Sequence, residues 1–241
     1  MKADIIVQAR TGSMRLPRKV LRTVLGKSML EHLIIRLRRT KMVDNIIIAT
    51  TESKEDTAIV EIAGNLGIKS YQGSADDVLD RFYQVARKFG LRHIVRITAD
   101  CPLMDPSVVD KGIEYYFSSG ADYCSNVLER TFPDGEDVEV FSFNALEQAW
   151  REAGLSFERE HVTPYIRKHP EQFKLTNFKN NVNISDKRWT LDREEDFIFI
   201  KKVYEGLYPK NPCFGMEDIL SFLKENPGLE EINKKLVKQY E

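Results

Sequence analysis

IIVQARTGSMRLPRK, residues 5–19, runs from an apolar segment into a basic loop that contains a glycine. Ile5 to Gln8 predicts a buried strand, because a short apolar, β-branched run bounded by polar residues suits a sheet interior. The stretch that follows, through Lys27, is polar and without period. Ser28 and Glu31 then stand at capping-box spacing and predict the start of a helix. Between Asp4 and Glu31 there is no acidic residue, whereas Arg10, Arg15, Arg18, Lys19, Arg22 and Lys27 all fall in that window. Gly12 permits a positive φ or a close backbone approach, and Thr11 and Ser13 offer hydroxyl donors. Guanidinium groups match phosphate oxygens with paired hydrogen bonds. This is an anion trap suited to a polyphosphate. Composition alone equally allows a solvated basic loop; its place directly after the first strand favours the anion site.

Working outward, Asn45–Thr51 (NIIIATT), Lys69–Gln72 and His93–Thr98 (HIVRIT) read as further strands. They alternate with helices expected over Lys54–Leu66, from Ser74 and Asp77 to Gly90, and from Pro106 to Ser119. That alternation predicts an α/β fold: a mostly parallel sheet with helices on both faces and ligands outside the carboxyl ends of the strands. The loops after Gln8 and Thr98 then share one rim. From Ala121 the rhythm changes: ADYCSN, DVEVFSF and FKLTNF look like strands, and Asn144–Ala153 and Glu158–Lys168 look helical. Residues 121–188 are therefore expected to form a smaller α+β lobe, with 1–120 and 189–241 as the main domain. RWTLD returns to strand character, Arg193–Tyr208 and Met216–Glu225 are expected as helices, and the charged tail after Pro227 either caps the fold or joins an interface.

Bulk properties narrow the function. With 241 residues, 42% of them hydrophobic and 30% charged, the chain can bury a real core. A formal net charge of −1 gives no global pull toward nucleic acid or an anionic membrane, so small-molecule partners are expected. Cys101, Cys124 and Cys213 are widely spaced and form no C-x-x-C pair, so no disulfide framework or structural zinc is expected, which fits a reducing cytoplasm. No apolar run suggests a signal or a membrane span. The basic loop lacks both G-x-x-x-x-G-K-[ST] and G-x-G-x-x-G, which sets aside a P-loop ATPase and a dinucleotide site.

VQARTGSMRLPRK and RITADCPLMD (Arg96–Asp105) together resemble the cytidylyltransferase superfamily that activates acidic sugars, including the CMP-sialate and CMP-Kdo synthetases. Ala9, Arg10, Gly12, Ser13, Arg15, Leu16, Pro17 and Lys19 match its first motif, A-R-x-G-S-x-R-[LI]-P-x-K. FPDGEDVEVFS, EREHVTPYI and WTLDREEDF are similar to the spore coat polysaccharide biosynthesis protein F branch. The resemblance implies a nucleotide-diphospho-sugar transferase-like, Rossmann-like three-layer fold. It also implies CMP transfer from CTP to a sugar, an acidic nonulosonic-type one, with Mg2+ and in a homodimer. Ala9 to Ser13, Arg15, Lys19 and Thr98 would bind the nucleotide. Lys19, Arg15 and Asp100 would be catalytic, and Asp100 and Asp192 would hold the metal.

The residues alone leave other positions open. Asp100 and Asp192 each suit a helix N-cap as well as a metal. Arg96, charged within an apolar strand, is either salt-bridged beneath the site or in contact with a ligand. Asp137 and Glu139 share one face and either meet the sugar or edge a hairpin. The resemblance implies a sugar-side or lobe-interface role for His161; as a lone histidine on a helix it reads as packed or solvated, with a general base the lesser reading. Two other functions fit less well: a glycosyltransferase using a nucleotide sugar, which commonly shows an Asp-x-Asp motif absent here, and a non-catalytic nucleotide-binding partner in polysaccharide assembly.

Overall fold

The computed structural model describes residues 1–236. Its centre is one seven-stranded sheet. Four parallel strands, β1 (Ala3–Gln8), β4 (Val43–Thr51), β5 (Lys69–Gly73) and β6 (His93–Thr98), lie in the order β5-β4-β1-β6. The central strands have both faces covered, as a parallel sheet requires, whereas the edge strand β5 is partly exposed. Ile5 and Val7 point into one core and Ile6 into the other, following the two-residue period of a strand. One face is covered by α1 (Met29–Leu37), α2 (Thr57–Asn65), α4 (Pro106–Ser119), α8 (Glu194–Leu207) and α9 (Met216–Glu225). The other is covered by α3 (Val78–Phe89), α5 (Phe143–Glu152) and α7 (Pro164–Lys168), with α6 (Ser156–His161) packed against α3 and α7. The capping box at α1 forms as expected, with the Ser28 side chain accepting from the Glu31 amide and Glu31 accepting from the Ser28 amide.

Residues 121–188 extend this same sheet. β8 (Glu139–Ser142) pairs antiparallel with β6, β7 (Tyr123–Ser125) antiparallel with β8, and β9 (Leu175–Asn177) parallel with β7. The stretch before α1 is not wholly irregular, since β2 (Thr23–Val24) and β3 (Lys27–Ser28) form a small ribbon. It turns through Leu25 and Gly26, both at positive φ, the geometry of a tight two-residue hairpin.

Two elements differ from the sequence reading. RWTLD is extended but is not a strand of the sheet. Its amides are taken by loop carbonyls: Trp189 N–H donates to Asp134 O at 2.6 Å and Leu191 N–H to Asp100 O at 2.7 Å. The helix expected over Glu158–Lys168 is broken into α6 and α7, because Pro164 has no N–H to continue the ladder and the chain reverses at Val162, φ 71°. The tail after Pro227 caps the fold as far as residue 236. Asn233 Nδ2 donates to Arg188 O and to Asp196 Oδ1, and Lys187 pairs with Glu230. Residues 237–241 lie outside the described residues.

Candidate active site

The parallel pairing of β1 with β6 sets Gln8 beside Thr98 and brings the two following loops to one rim. Ala9 stays buried and its N–H donates to Ala49 O at 3.1 Å. Thr11 donates both its backbone N–H and its hydroxyl to Asp56 Oδ1, each at 2.7 Å. The second oxygen of Asp56 accepts from the Thr50 hydroxyl at 3.1 Å and from the Thr51 hydroxyl at 2.5 Å. Burial alone would raise the Asp56 pKa, but these hydrogen bonds outweigh it and hold the carboxyl below its ordinary range. The hydroxyl hydrogen of Thr11, expected to face a nucleotide, is thus committed to anchoring the loop. Arg10 and Gly12 are exposed, Ser13 is half-buried, and the Arg18 amide closes the loop onto Thr11 O at 3.0 Å.

Lys19 is brought between two carboxylates. Its Nζ lies 2.9 Å from Asp100 Oδ2 and 3.4 Å from Asp192 Oδ1, and Arg15 Nη2 lies 2.8 Å from Asp192 Oδ2. Burial pushes the Asp100 pKa up; the Lys19 charge and hydrogen bond overcome that, and the carboxyl is held below its usual value. Asp100 also fixes its partner loop, its carbonyl accepting from the Leu191 amide and from the Thr190 hydroxyl at 3.2 Å. Asp192 is oriented from behind by Asp196, whose Oδ2 accepts from the Asp192 and Arg193 amides at 3.0 and 2.9 Å. Asp196 is fully buried and is paired twice with Arg188, through Nε at 2.9 Å and Nη2 at 3.0 Å, while Arg188 Nη1 reaches Asp134 at 2.9 Å.

Arg188→Met would leave the buried Asp196 carboxylate uncompensated. It is expected to cost about 3–5 kcal/mol in urea unfolding, and an unchanged midpoint would exclude this pair as the anchor. Gly135 completes the support. Its φ is 115°, and a Cβ there would sit 2.7 Å from the backbone at Trp189 and Thr190, so only glycine lets the 133–137 turn lie against the strand-like loop carrying Asp192.

Two adjoining clefts of about 480 Å3 each open at this rim. The first is lined by the basic loop, including Arg10, Gly12, Ser13, Arg15 and Lys19, together with Asp100 and Asp192. The second is lined by Arg96, Arg130, Asp137, Glu139, Phe157 and Arg167. Thr98, Asp100 and His161 border both, and the Thr98 hydroxyl also lies 3.3 Å from Cys101 Sγ.

Residues 5–227 match the cytidylyltransferase family model. The chain belongs to the cytidylyltransferase family. It is 40% identical over 237 residues to an uncharacterized protein of Methanocaldococcus jannaschii, covering 97% of this chain and 95% of that one. It is 33% identical over 229 residues to the spore coat polysaccharide biosynthesis protein SpsF of Bacillus subtilis, covering 92% and 94%. The solved structure of a cytidylyltransferase from Leptospira borgpetersenii superposes with a TM-score of 0.91 at 32% identity, covering 95% of this chain and 97% of that one.

In this member of the cytidylyltransferase family, Asp137, Glu139 and His161, the residues expected to meet the sugar, all line the second cleft, and the first two are engaged by protein partners. Glu139 is buried, and its Oε1 accepts from the Tyr123 and Thr163 hydroxyls, both at 2.6 Å, while Oε2 pairs with Arg96 opposite it on β6. Burial would raise its pKa, but Arg96 and the two hydroxyls hold it low. Arg96 is thus salt-bridged beneath the cleft it helps to line. Asp137 is paired with Arg130 through two 2.8 Å hydrogen bonds. His161 is exposed, with its ring centroid 4.5 Å from that of Phe157. Desolvation, then the charges of Arg96, Arg167 and Arg10, lower its pKa against the opposing pull of Glu160.

Arg167 was not singled out from sequence. It is half-buried, lines the second cleft and makes no side-chain hydrogen bond or ion pair among the described residues. Asp56, Arg188 and Asp196 were missed too, their roles resting on partners far away in sequence or hidden within a loop. Among the described residues there is no cluster of three or more His, Cys, Asp or Glu able to cage a metal. Asp100 and Asp192 nevertheless converge on one cation, Lys19, and two carboxylates are the protein share that magnesium takes when phosphate oxygens and water complete its shell. No helix among the described residues is long and apolar enough to cross a membrane.

Proposed function

We propose that this protein transfers CMP from CTP to a carboxylate-bearing sugar with release of pyrophosphate, in surface or spore coat polysaccharide biosynthesis. The observation that carries the reading is the junction of the two clefts. Arg10, Arg15 and Lys19 line the first and suit a triphosphate; the second begins at Asp100 and holds Arg167, a half-buried cation that forms no ion pair among the described residues and acts only through space on Glu139, which is already paired with Arg96. A sugar carboxylate on Arg167 would place an acceptor hydroxyl toward Asp100 and the α-phosphate.

In the reaction, an acceptor hydroxyl oxygen bonds to the α-phosphorus and the bond from that phosphorus to the β-phosphate bridging oxygen breaks. Pyrophosphate leaves with the bond electrons, and the hydroxyl proton is lost to a neighbouring base. His161, which borders both clefts, would take it. Lys19 and Arg15 hold the charge that builds on the phosphate oxygens, and the buried hydrogen bonds of Asp56 keep the loop in place before substrate arrives. Magnesium, held by Asp100 and Asp192 when bound, would supply Lewis-acid neutralisation of the phosphate oxygens.

The test is pyrophosphate release from CTP with a panel of acidic and neutral sugars. Release with an acidic sugar is expected, and release with neutral sugars alone would overturn the acceptor class. Arg167→Gln is expected to raise the acceptor KM roughly 10- to 150-fold, the equivalent of about 1.5–3 kcal/mol for a charged hydrogen bond, with the KM for CTP unchanged.

A further inference from the structure

His161 and Thr163 flank a turn that a valine seldom makes. Val162 lies at φ 71°, ψ −57°, and the Thr163 N–H donates to His161 O at 2.9 Å, which together form a three-residue γ-turn of the strained hand. A β-branched residue takes a positive φ only where its surroundings impose it, and such residues cluster at functional sites. Helix α6, which ends here, has six residues and is too short to hold its own direction. The restraint comes from both sides of the turn. The Val162 side chain is fully buried in the core shared with α3, α5 and α7. The Thr163 hydroxyl donates to Glu139 Oε1 at 2.6 Å, and the Thr163 carbonyl accepts from the Arg167 N–H at 3.1 Å at the start of α7. Glu139 is itself fixed by three strands. It stands on β8, its Oε2 is paired with Arg96 on β6, and the Tyr123 hydroxyl on β7 meets the same Oε1 at 2.6 Å.

We infer that Glu139 and Thr163 are positioning residues: their buried hydrogen bond holds Val162 in its strained turn and so sets where His161 stands between the two clefts. This rests on the acceptor reading proposed above and adds to it the element that aligns the acceptor side. Glu139, with its oxygens taken by Arg96 and two hydroxyls, holds the wall that the sugar meets. Without the Thr163 hydroxyl the turn is free to relax toward an ordinary negative φ, which swings His161 away from the junction. Tyr123 is the internal comparison, since its hydroxyl shares the same carboxylate oxygen and is equally buried but is not attached to the turn.

The experiment compares wild type, Thr163→Val, Thr163→Ser and Tyr123→Phe by NMR of the histidine rings and by pyrophosphate release from CTP with an acidic sugar. The chain has four histidines, and the His161 signal is assigned with His161→Gln. Thr163→Val is expected to shift the His161 signal and to lower kcat roughly 10- to 100-fold, since a misplacement of about 1 Å can cost on the order of 100-fold, with the KM for CTP unchanged. Thr163→Ser, which keeps the hydroxyl, and Tyr123→Phe are expected to match wild type in both readouts. Thr163→Ala replaces Thr163→Val if the added methyl prevents folding. An unmoved His161 signal in the hydroxyl-free variant overturns the inference, and so does an equal shift in Tyr123→Phe, which would reduce the effect to general packing. A shifted signal with unchanged turnover removes the turn from the reaction and overturns it as well. If wild type releases no pyrophosphate with any sugar, the acceptor reading falls, while the His161 signals still decide whether Thr163 holds the turn.

Discussion

Replacing Lys19 with alanine is expected to lower kcat for CMP transfer by roughly 100- to 1,000-fold, the usual cost of losing one preorganised group aimed at transition-state charge. The acceptor KM should change little, because Lys19 lines the first cleft and not the second. A change confined to the acceptor KM would reassign Lys19 to substrate orientation. The same substitution alters the response to acid. Lys19 holds the Asp100 carboxyl below its ordinary pKa against the pull of burial. A carboxyl whose folded pKa is depressed stabilises the fold above its unfolded value, about pH 3.9 for aspartate, and loses that contribution as pH falls through the folded value. Wild type should therefore exceed Lys19→Ala in stability at neutral pH, with the gap closing as the pH falls below about 4.

Asp100→Asn should reduce magnesium-supported turnover on the order of 1,000-fold, the several kcal/mol of charge stabilisation that a bound divalent cation contributes. The fold should survive, because Asp100 is tied to the Thr190–Leu191 segment by its backbone carbonyl, which asparagine keeps. Thermal unfolding close to wild type together with lost turnover is the expected pair of results. Unchanged turnover would remove Asp100 from the mechanism.

How far the sequence foretold this depends on the range of each interaction. β6 at His93–Thr98, α4 at Pro106–Ser119 and α9 at Met216–Glu225 have the limits read from periodicity and from Pro106 at a helix start. The Ser28–Glu31 box and the Asp77 cap act within three residues and were equally visible. The WTLD loop was misread because its apolar, β-branched residues pack like a strand while its amides bond to Asp100 and Asp134, a choice made by residues far away in the chain. The break at Val162 was overlooked although Pro164 signalled it. Within the site, the basic loop stood out by its lack of acids. The convergence of Asp100 and Asp192 on Lys19 depends on contacts 81 and 173 residues apart, which no local pattern encodes. Thr11 read as a free donor for the same reason, since its partner Asp56 lies 45 residues on.

The most direct test of the central claim is thermal stabilisation by CTP, UTP, GTP and ATP, each with and without magnesium. A ligand at about 100 times its Kd adds roughly 2.7 kcal/mol, or about 5–10 °C in a domain of this size. A magnesium-dependent rise with CTP that the other triphosphates do not match is the predicted result. No rise with any triphosphate, alongside a rise with a nucleotide sugar, would contradict the account and point to a glycosyltransferase.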